Sequence, residues 1–261
     1  MAKKKVAVQE FSIEDKLKAL YQLQSIDSEI DKIRTRGLEL LHERDPNWRD
    51  NLPTGSEPYQ NPHFKDDMFY EIIRNEKVVN IVKSLILNDN PDLGDFDLQV
   101  SQTWMYFKPP GELGRDTHQN SFYVHCDWGK AINISIAIDD SDEENGCMFW
   151  YPGSHNDKIS WPIDHDKFDL ERQKTNPKSW TNERGKPCYI PSMYQNGVLV
   201  DKYPKVFTPT KSGSVTFVHS HVLHGSEENK SKDRWRLAYL IGYFVKGIYL
   251  HTDSKDGMRK N

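Results

Sequence analysis

The stretch TWMYFKPPGELGRDTHQNSFYVHCDWGKAINISIAIDDSDEENGCMFWYPGSH, residues 103–155, decides the fold. It contains three apolar runs rich in β-branched and aromatic residues, at 103–108, 131–139 and 147–151. Each run ends in turn residues, which are Pro-Pro-Gly, Glu-Asn-Gly and Pro-Gly in that order. Short apolar runs closed by tight turns are typical of successive strands, so this stretch predicts a β structure.

The ninety residues before this stretch carry helical patterns. Apolar residues recur every three or four positions from Ser12 to Ile33, which predicts an amphipathic helix that ends near Gly37. Residues 45–62 hold four prolines in a polar background and therefore predict a long loop. Two further helices are predicted at 66–75 and 76–88.

The residues after the stretch return to strand patterns. A mostly polar segment from 156 to about 197 predicts an insertion over the mouth of the β structure. Further strands are predicted at 198–206, 214–218 and 236–245. A length of 261 residues fits one large β domain with added helices, so we expect a single domain over 1–261. Its mainly helical part would be 1–90 and its β part 91–250.

Composition excludes several classes of partner. The chain has 35 basic and 39 acidic residues, so no global positive field indicates nucleic acid. The longest apolar run, at 237–245, is about half of the roughly 20 residues that a membrane helix needs, and the N-terminus lacks the apolar core of a signal peptide. Three cysteines without a Cys-x-x-Cys pair argue against a disulfide framework and a zinc knuckle. We expect a cytoplasmic protein of unspecified oligomeric state.

Histidines and arginines near the strand ends are the candidates for chemistry. In a strand, residues two apart face the same way, so His118 and Asn120 would point into one space. One histidine from the 219–224 segment, paired with His118, would supply two neutral imidazoles, a set suited to Fe, Zn, Cu or Ni. A nearby arginine would bind a carboxylate through two hydrogen bonds. Arg234 and Arg236 are the candidates.

A second pair, His125-x-Asp127, lies seven residues after the first. An extended segment of that length spans about 23 Å, so the two pairs cannot serve one site.

The order of several motifs resembles the phytanoyl-CoA dioxygenase family of Fe(II)/2-oxoglutarate oxygenases. The resemblance extends over about residues 100–244, and its motifs are QTWMYFKPPG, HQNSFY, INISIAIDDSDEENGCMFWYPGSH, GSVTFVHSHVLHGS and DRWRLAYLIGY. It implies a mainly β fold, the double-stranded β-helix or jelly roll, with flanking N-terminal helices. It also implies oxygen-dependent hydroxylation of a small-molecule substrate, with Fe(II) as the metal and 2-oxoglutarate and O₂ as cosubstrates.

The same resemblance assigns roles to individual residues. The metal histidines correspond to His118 and His224. The arginine that binds 2-oxoglutarate corresponds to Arg236, with Arg234 as the alternative, and the hydroxyl that shares its carboxylate corresponds to Ser226. Trp104 would line the cosubstrate pocket.

The sequence departs from the family pattern at Asn120, where members with the His-x-Asp form of the motif have aspartate. The distance to the Asn-Gly-Cys turn favours the His118-x-Asn120 alignment over His125-x-Asp127. Because an amide oxygen is a ligand without charge, metal affinity should fall. Four outcomes remain open: Asn120 ligates weakly, an anion such as chloride takes its place as in the halogenases of this superfamily, Asp116 substitutes, or the protein binds ligands without turnover.

Overall fold

Two antiparallel sheets form the centre of the computed structural model, which describes residues 27–51, 58–121, 128–156 and 202–247. The strands, within those residues, are β1 (Tyr59–Gln60), β2 (Leu98–Lys108), β3 (Arg115–His118), β4 (Ala131–Ala137), β5 (Met148–Trp150), β6 (Val206–Thr208), β7 (Val215–His219), β8 (His224–Ser226) and β9 (Arg236–Val245). The first sheet has the order β1-β2-β9-β4-β7 and the second β3-β8-β5-β6. From β2 to β9 the chain passes repeatedly between the two sheets, which is the double-stranded β-helix that the family resemblance implied.

Three α-helices precede β2 in the described part of the chain, namely α1 (Asp27–Arg44), α2 (Asp67–Ile73) and α3 (Glu76–Asp89). Side chains cap the two shorter ones at their N-termini: Asp66 accepts from the backbone N–H of Met68, and Asn75 from that of Lys77. These two helices confirm the prediction for 66–88. The beginning of the first predicted helix, from Ser12, lies outside the described residues.

The predicted end of the first helix at Gly37 is wrong, because α1 continues to Arg44. Gly37 lies against β2, where a Cβ atom would approach the Cε of Met105 to 2.5 Å. The glycine therefore permits close helix-to-sheet packing and does not end the helix.

Strand alternation gives the first sheet two chemically different faces. Alternate residues of β2, β4 and β9 pack on the helices and build the hydrophobic core. Tyr239 and Tyr243 of β9 extend this contact, since their hydroxyls donate to the backbone carbonyls of Phe69 (3.4 Å) and Ile73 (2.8 Å). The main contributors to this core are Ile33, Leu40, Leu41, Phe69, Val82, Ile86, Met105, Phe107, Ile132, Ile134, Ile136, Leu237, Tyr239, Ile241 and Tyr243.

The opposite face of the first sheet points toward the second sheet. Lys108 pairs with Arg236 and Tyr106 with Ala238, so these side chains share the inner face. A cavity between the sheets is lined from both sides, by Ser135, Ala137, Thr216, Arg236 and Ala238 of the first and by Met148, Trp150 and Thr208 of the second. The polar residues of the strands are thus collected in the space between the sheets.

The strand predicted at 198–206 and the insertion predicted at 156–197 are described only in part. Within the described part of the predicted strand at 198–206, residues 202–205 are not in a strand and β6 begins at Val206, because Pro204 offers no N–H for a ladder. Residues 198–201 and nearly all of the insertion at 156–197 lie outside the described part of the chain. No helix among the described residues is long and apolar enough to cross a membrane.

Replacement of Gly225 by alanine should destabilise the fold. The new Cβ would lie 2.6 Å from the backbone oxygen of Arg115 in the neighbouring strand and 2.5 Å from Phe149 Cζ. The backbone of Arg115 cannot move aside without disturbing β3. We therefore expect a loss of about 1–3 kcal/mol in the free energy of unfolding, measured by urea denaturation. Gly94→Asn is the control, since a Cβ there meets nothing within 4 Å and asparagine tolerates a positive φ. Equal stability of Gly225→Ala and the wild type would contradict the close β3–β8 approach.

Candidate metal centre and anion site

His118 and His224 lie side by side although they are 106 positions apart in the chain. They are a register pair of β3 and β8, and their ring centroids are 4.3 Å apart. Between the Arg115–Ser226 pair and this pair, β3 contains one residue more than β8, which is a β-bulge. The bulge turns Arg115 and His118, three positions apart, to the same face. Both imidazoles are buried and close enough to reach one metal ion.

The imidazole of His224 is held in one orientation. Its Nδ1 donates to the backbone carbonyl of Val222 at 2.9 Å, which leaves the lone pair on Nε2. Trp150 stacks on the ring with a centroid distance of 5.6 Å. Burial lowers the pKa of His224 to about 4, so the ring is neutral near pH 7. A neutral, oriented imidazole with a free Nε2 is the form that binds a metal ion.

The expectation that His118 and Asn120 share a strand is wrong. β3 ends at His118, and Asn120 stands in a helical turn, half-buried. Because β3 and its pairing with β8 end at His118, the alternation of side chains along a strand does not apply to Asn120. The other candidates for a third ligand, His125, Asp127 and the side chain of Asp116, lie outside the described part of the chain. Among the described residues, no three His, Cys, Asp or Glu side chains could together hold a metal ion.

Two hydrogen-bond donors contact the hydroxyl of Ser226, two residues after His224. The Nζ of Lys108 donates to Ser226 Oγ at 3.1 Å and also to the carbonyl of Glu227, and the backbone N–H of Arg115 donates to Ser226 Oγ at 3.1 Å. Arg236 is the register partner of Lys108, and its Nε is buried without a hydrogen-bond partner among the described residues. Burial, reinforced by Arg236 and Arg115, holds the pKa of Lys108 well below its usual range.

Arg236 shares this environment, and burial lowers its pKa to about 10. A buried guanidinium with an unsatisfied N–H, next to a lysine and a hydroxyl, is a strong indication of an anionic ligand such as a carboxylate. Sequence reasoning missed Lys108 and Arg115. The signal for Lys108 was present, since a lysine interrupts the apolar run YFKPP at an inward position.

Arg234, the alternative arginine, points elsewhere. Its guanidinium donates to both carboxylate oxygens of Asp142 (2.7 and 2.9 Å) and to Glu144 (2.6 Å). This contact lowers the pKa of Asp142 to about 2.

Trp104 lies on the inner face of β2, in edge contact with Tyr106 at 6.2 Å. It is four residues from Lys108, or about 13 Å along the strand.

The Glu-Asn-Gly-Cys turn at 144–147 fixes the chain that leads into β9. Asn145 is buried, and its side-chain amide donates to the carbonyls of Asp140 (2.8 Å) and Trp235 (3.3 Å). Gly146 adopts a φ of +82°, and a Cβ there would lie 2.6 Å from the carbonyl of Glu227. The turn therefore contacts both the residue before Arg236 and the residue after Ser226, and it joins the two parts of the anion site.

His224 should make stability depend on pH. The unfolded chain takes up a proton near the ordinary histidine pKa of about 6.5, whereas the buried ring does so only near pH 4. The unfolded state therefore binds more protons in this window, and stability falls as the pH falls from about 6.5 to about 4. Between pH 7 and pH 5 we expect His224 to account for a loss of about 2 kcal/mol.

Urea denaturation at both pH values, with a chelator present, measures this difference. His224→Gln should remove the loss, and His42→Gln, at an exposed position, is the control for deleting a histidine. The same pH dependence in His224→Gln and the wild type would contradict a buried neutral ring.

Comparison with known proteins identifies the family. The phytanoyl-CoA dioxygenase (PhyH) family model matches residues 13–238. The chain is 30% identical over 173 residues to phytanoyl-CoA dioxygenase domain-containing protein 1 of Danio rerio, covering 65% of this chain and 50% of that one. It is 29% identical over 185 residues to a probable alpha-ketoglutarate-dependent hypophosphite dioxygenase of Stutzerimonas stutzeri, covering 70% and 55%. The chain thus spans about half the length of the curated relatives it matches.

Solved structures share the fold. The non-heme alpha ketoglutarate dependent carbocyclase SnoK from nogalamycin biosynthesis superposes with a TM-score of 0.63 at 19% identity, over 88% of this chain and 80% of that one. EctD from S. alaskensis, with 2-oxoglutarate and 5-hydroxyectoine, gives 0.59 at 16% identity, over 86% and 70%. The match of the family model over most of the sequence shows that this chain belongs to the phytanoyl-CoA dioxygenase family.

Proposed function

We propose that this chain is an Fe(II)- and 2-oxoglutarate-dependent oxygenase that hydroxylates a small molecule. The observation that carries the proposal is the His118–His224 pair, two buried imidazoles on the same sheet face as the cationic surroundings of Ser226. A metal site and an anion site two residues apart along β8 fit a ligand that binds the metal at one end and presents a carboxylate at the other. Family membership and the names of the relatives support the same cofactors.

The donor set fits ferrous iron. His118 and His224 would supply two imidazole nitrogens and Asn120 an amide oxygen, which leaves positions for the cosubstrate and dioxygen. Ferrous iron held by these residues would supply the activation of dioxygen, coupled to oxidation of 2-oxoglutarate to succinate and carbon dioxide and to insertion of the second oxygen atom into a C–H bond of the substrate. Trp150 and the Val222 carbonyl keep His224 oriented throughout. Burial excludes bulk water from the same imidazole.

The protein would hold 2-oxoglutarate by the carboxylate of the cosubstrate that lies farther from the metal. Arg236 offers its unpartnered Nε–H, and Ser226 offers a hydroxyl that Lys108 and Arg115 already orient. Trp104 would line the pocket beyond them. The carboxylate would relieve the mutual repulsion of the neighbouring cations, so binding should be strong and sensitive to each of them.

A binding protein without turnover is the second candidate. It is favoured by a specific observation, namely that neither Asn120 nor any described neighbour adds a carboxylate to the two histidines. The three proposed ligands carry no charge, whereas one aspartate would bring a negative charge to the dication. A halogenase is the third reading, in which chloride occupies the open position.

Turnover assays separate these functions. With Fe(II) and 2-oxoglutarate under air, the wild type should release succinate, because 2-oxoglutarate oxidation occurs at a low rate even without the native substrate. Asn120→Asp should raise iron affinity and succinate release together, by about tenfold, because it restores a charged ligand. Release that depends on chloride would favour the halogenase, and none from either protein would favour the binding protein. Unchanged iron affinity in Asn120→Asp would exclude residue 120 as a ligand.

The anion site is tested with matched arginine variants. Arg236→Lys should raise the Kd for 2-oxoglutarate by about tenfold or more, because an ammonium group cannot reproduce the two parallel N–H donors. Arg234→Lys is the control, since that guanidinium contacts Asp142 and Glu144 instead. Calorimetric titration with a redox-inert divalent metal measures both constants. A larger effect at Arg234 than at Arg236 would reverse the assignment.

A further inference from the structure

Side chains continue the connection between β3 and β8 where the backbone ladder stops. The last register pair is His118 with His224. Beyond it, Gln119 Nε2 donates to the carbonyl of His221 at 2.6 Å, and Ser121 Oγ lies 2.7 Å from His221 Nδ1. The backbone N–H of Ser121 donates to the carbonyl of Ser220 at 2.9 Å. We call Gln119, Ser121 and His221 the polar bridge.

All three members of the polar bridge are buried. Gln119 and Ser121 have no exposed surface, and His221 is 5% exposed. Polar groups at such depth are costly unless their hydrogen bonds are made, so the geometry that satisfies them is strongly preferred over its alternatives. The segment that follows His118 is therefore held in one position by its own side chains.

The other half of the bridge is anchored to the first sheet. The backbone N–H of His221 donates to His219 Nδ1 at 3.0 Å, and that of Ser220 donates to the carbonyl of Ala131. His219 closes β7, with its Nε2 3.3 Å from a carboxylate oxygen of Asp89, the last residue of α3. Residues 219–221 are thus held in place by hydrogen bonds, and Gln119 and Ser121, on either side of Asn120, bind to them.

We propose that the polar bridge positions Asn120 relative to His224 and so sets the affinity of the metal site, a role that rests on the proposed function. Asn120 lies between two residues that are both bound to the 220–221 segment. An uncharged ligand gains little from attraction to the metal, so its contribution depends on being held in place before the metal arrives. Gln119, Ser121 and His221 are positioning residues in this scheme and do not contact the metal.

Titration with Co(II), a spectroscopic substitute for Fe(II), tests the role. The wild type should bind Co(II) with visible absorption bands, whose position and intensity report the ligand geometry. Ser121→Ala should weaken binding by about tenfold and change the bands, in the range typical for residues that orient metal ligands. The control is Ser212→Ala, which also loses one side-chain hydrogen bond, to the carbonyl of Ile138 at 2.8 Å, outside the polar bridge. The control should retain both the wild-type affinity and the wild-type bands.

A second pair of variants separates positioning from loss of folding. His221→Asn keeps a hydrogen-bonding atom near the place of Nδ1 and should bind Co(II) within about twofold of the wild type, whereas His221→Leu should be about tenfold weaker. Wild-type affinity and bands in Ser121→Ala, equal weakening in Ser212→Ala, or equal weakening in both His221 variants would each overturn the positioning role. Failure of the wild type itself to bind Co(II) would overturn the proposed function, and the positioning role with it.

Discussion

The pairing of β3 with β8 is the interaction on which the candidate site depends. It sets His118 opposite His224 and Arg115 opposite Ser226, and a single extra residue in β3 turns both members of that strand inward. The proposed metal ligand His224 and the proposed anion-binding residue Ser226 therefore lie two positions apart on β8. Gly225 between them permits the close approach, because a Cβ atom at this position would lie 2.6 Å from the backbone oxygen of Arg115.

The first sheet supplies the other half of the site through its division into two faces. Its outer residues are apolar and pack on the helices, while its inner residues include Lys108 and Arg236. Burying two cations next to each other costs free energy that the hydrophobic outer face offsets. Burial, and after it the neighbouring Arg236, lowers the pKa of Lys108, and an anionic ligand nearby would raise it again.

Periodicity and turn residues were sufficient to predict the β-rich architecture, both short helices and β9, because apolar spacing reports which face is buried. The pairing of His118 with His224 was expected from family motifs, since no local pattern connects residues 106 positions apart. The helix end predicted at Gly37 was wrong because a glycine can either end a helix or allow another element to pack closely against it. Only the contact with Met105, which is far away in sequence, shows that the second explanation applies. The bulge before His118 and the bonds of Gln119 depend on tertiary contacts, which single-sequence patterns do not encode.

The hydroxyls of Tyr239 and Tyr243 tie β9 to the backbone of α2, and this connection constrains how the chain can evolve. β9 carries Arg236 on its inner face and Tyr239 and Tyr243 on its outer face, so one strand belongs to both the ligand pocket and the helical layer. A barrel stripped of its helices would expose these phenols and the apolar residues around them. The N-terminal helices are therefore structural partners of the β part, and substitutions in either layer are constrained by the same strand.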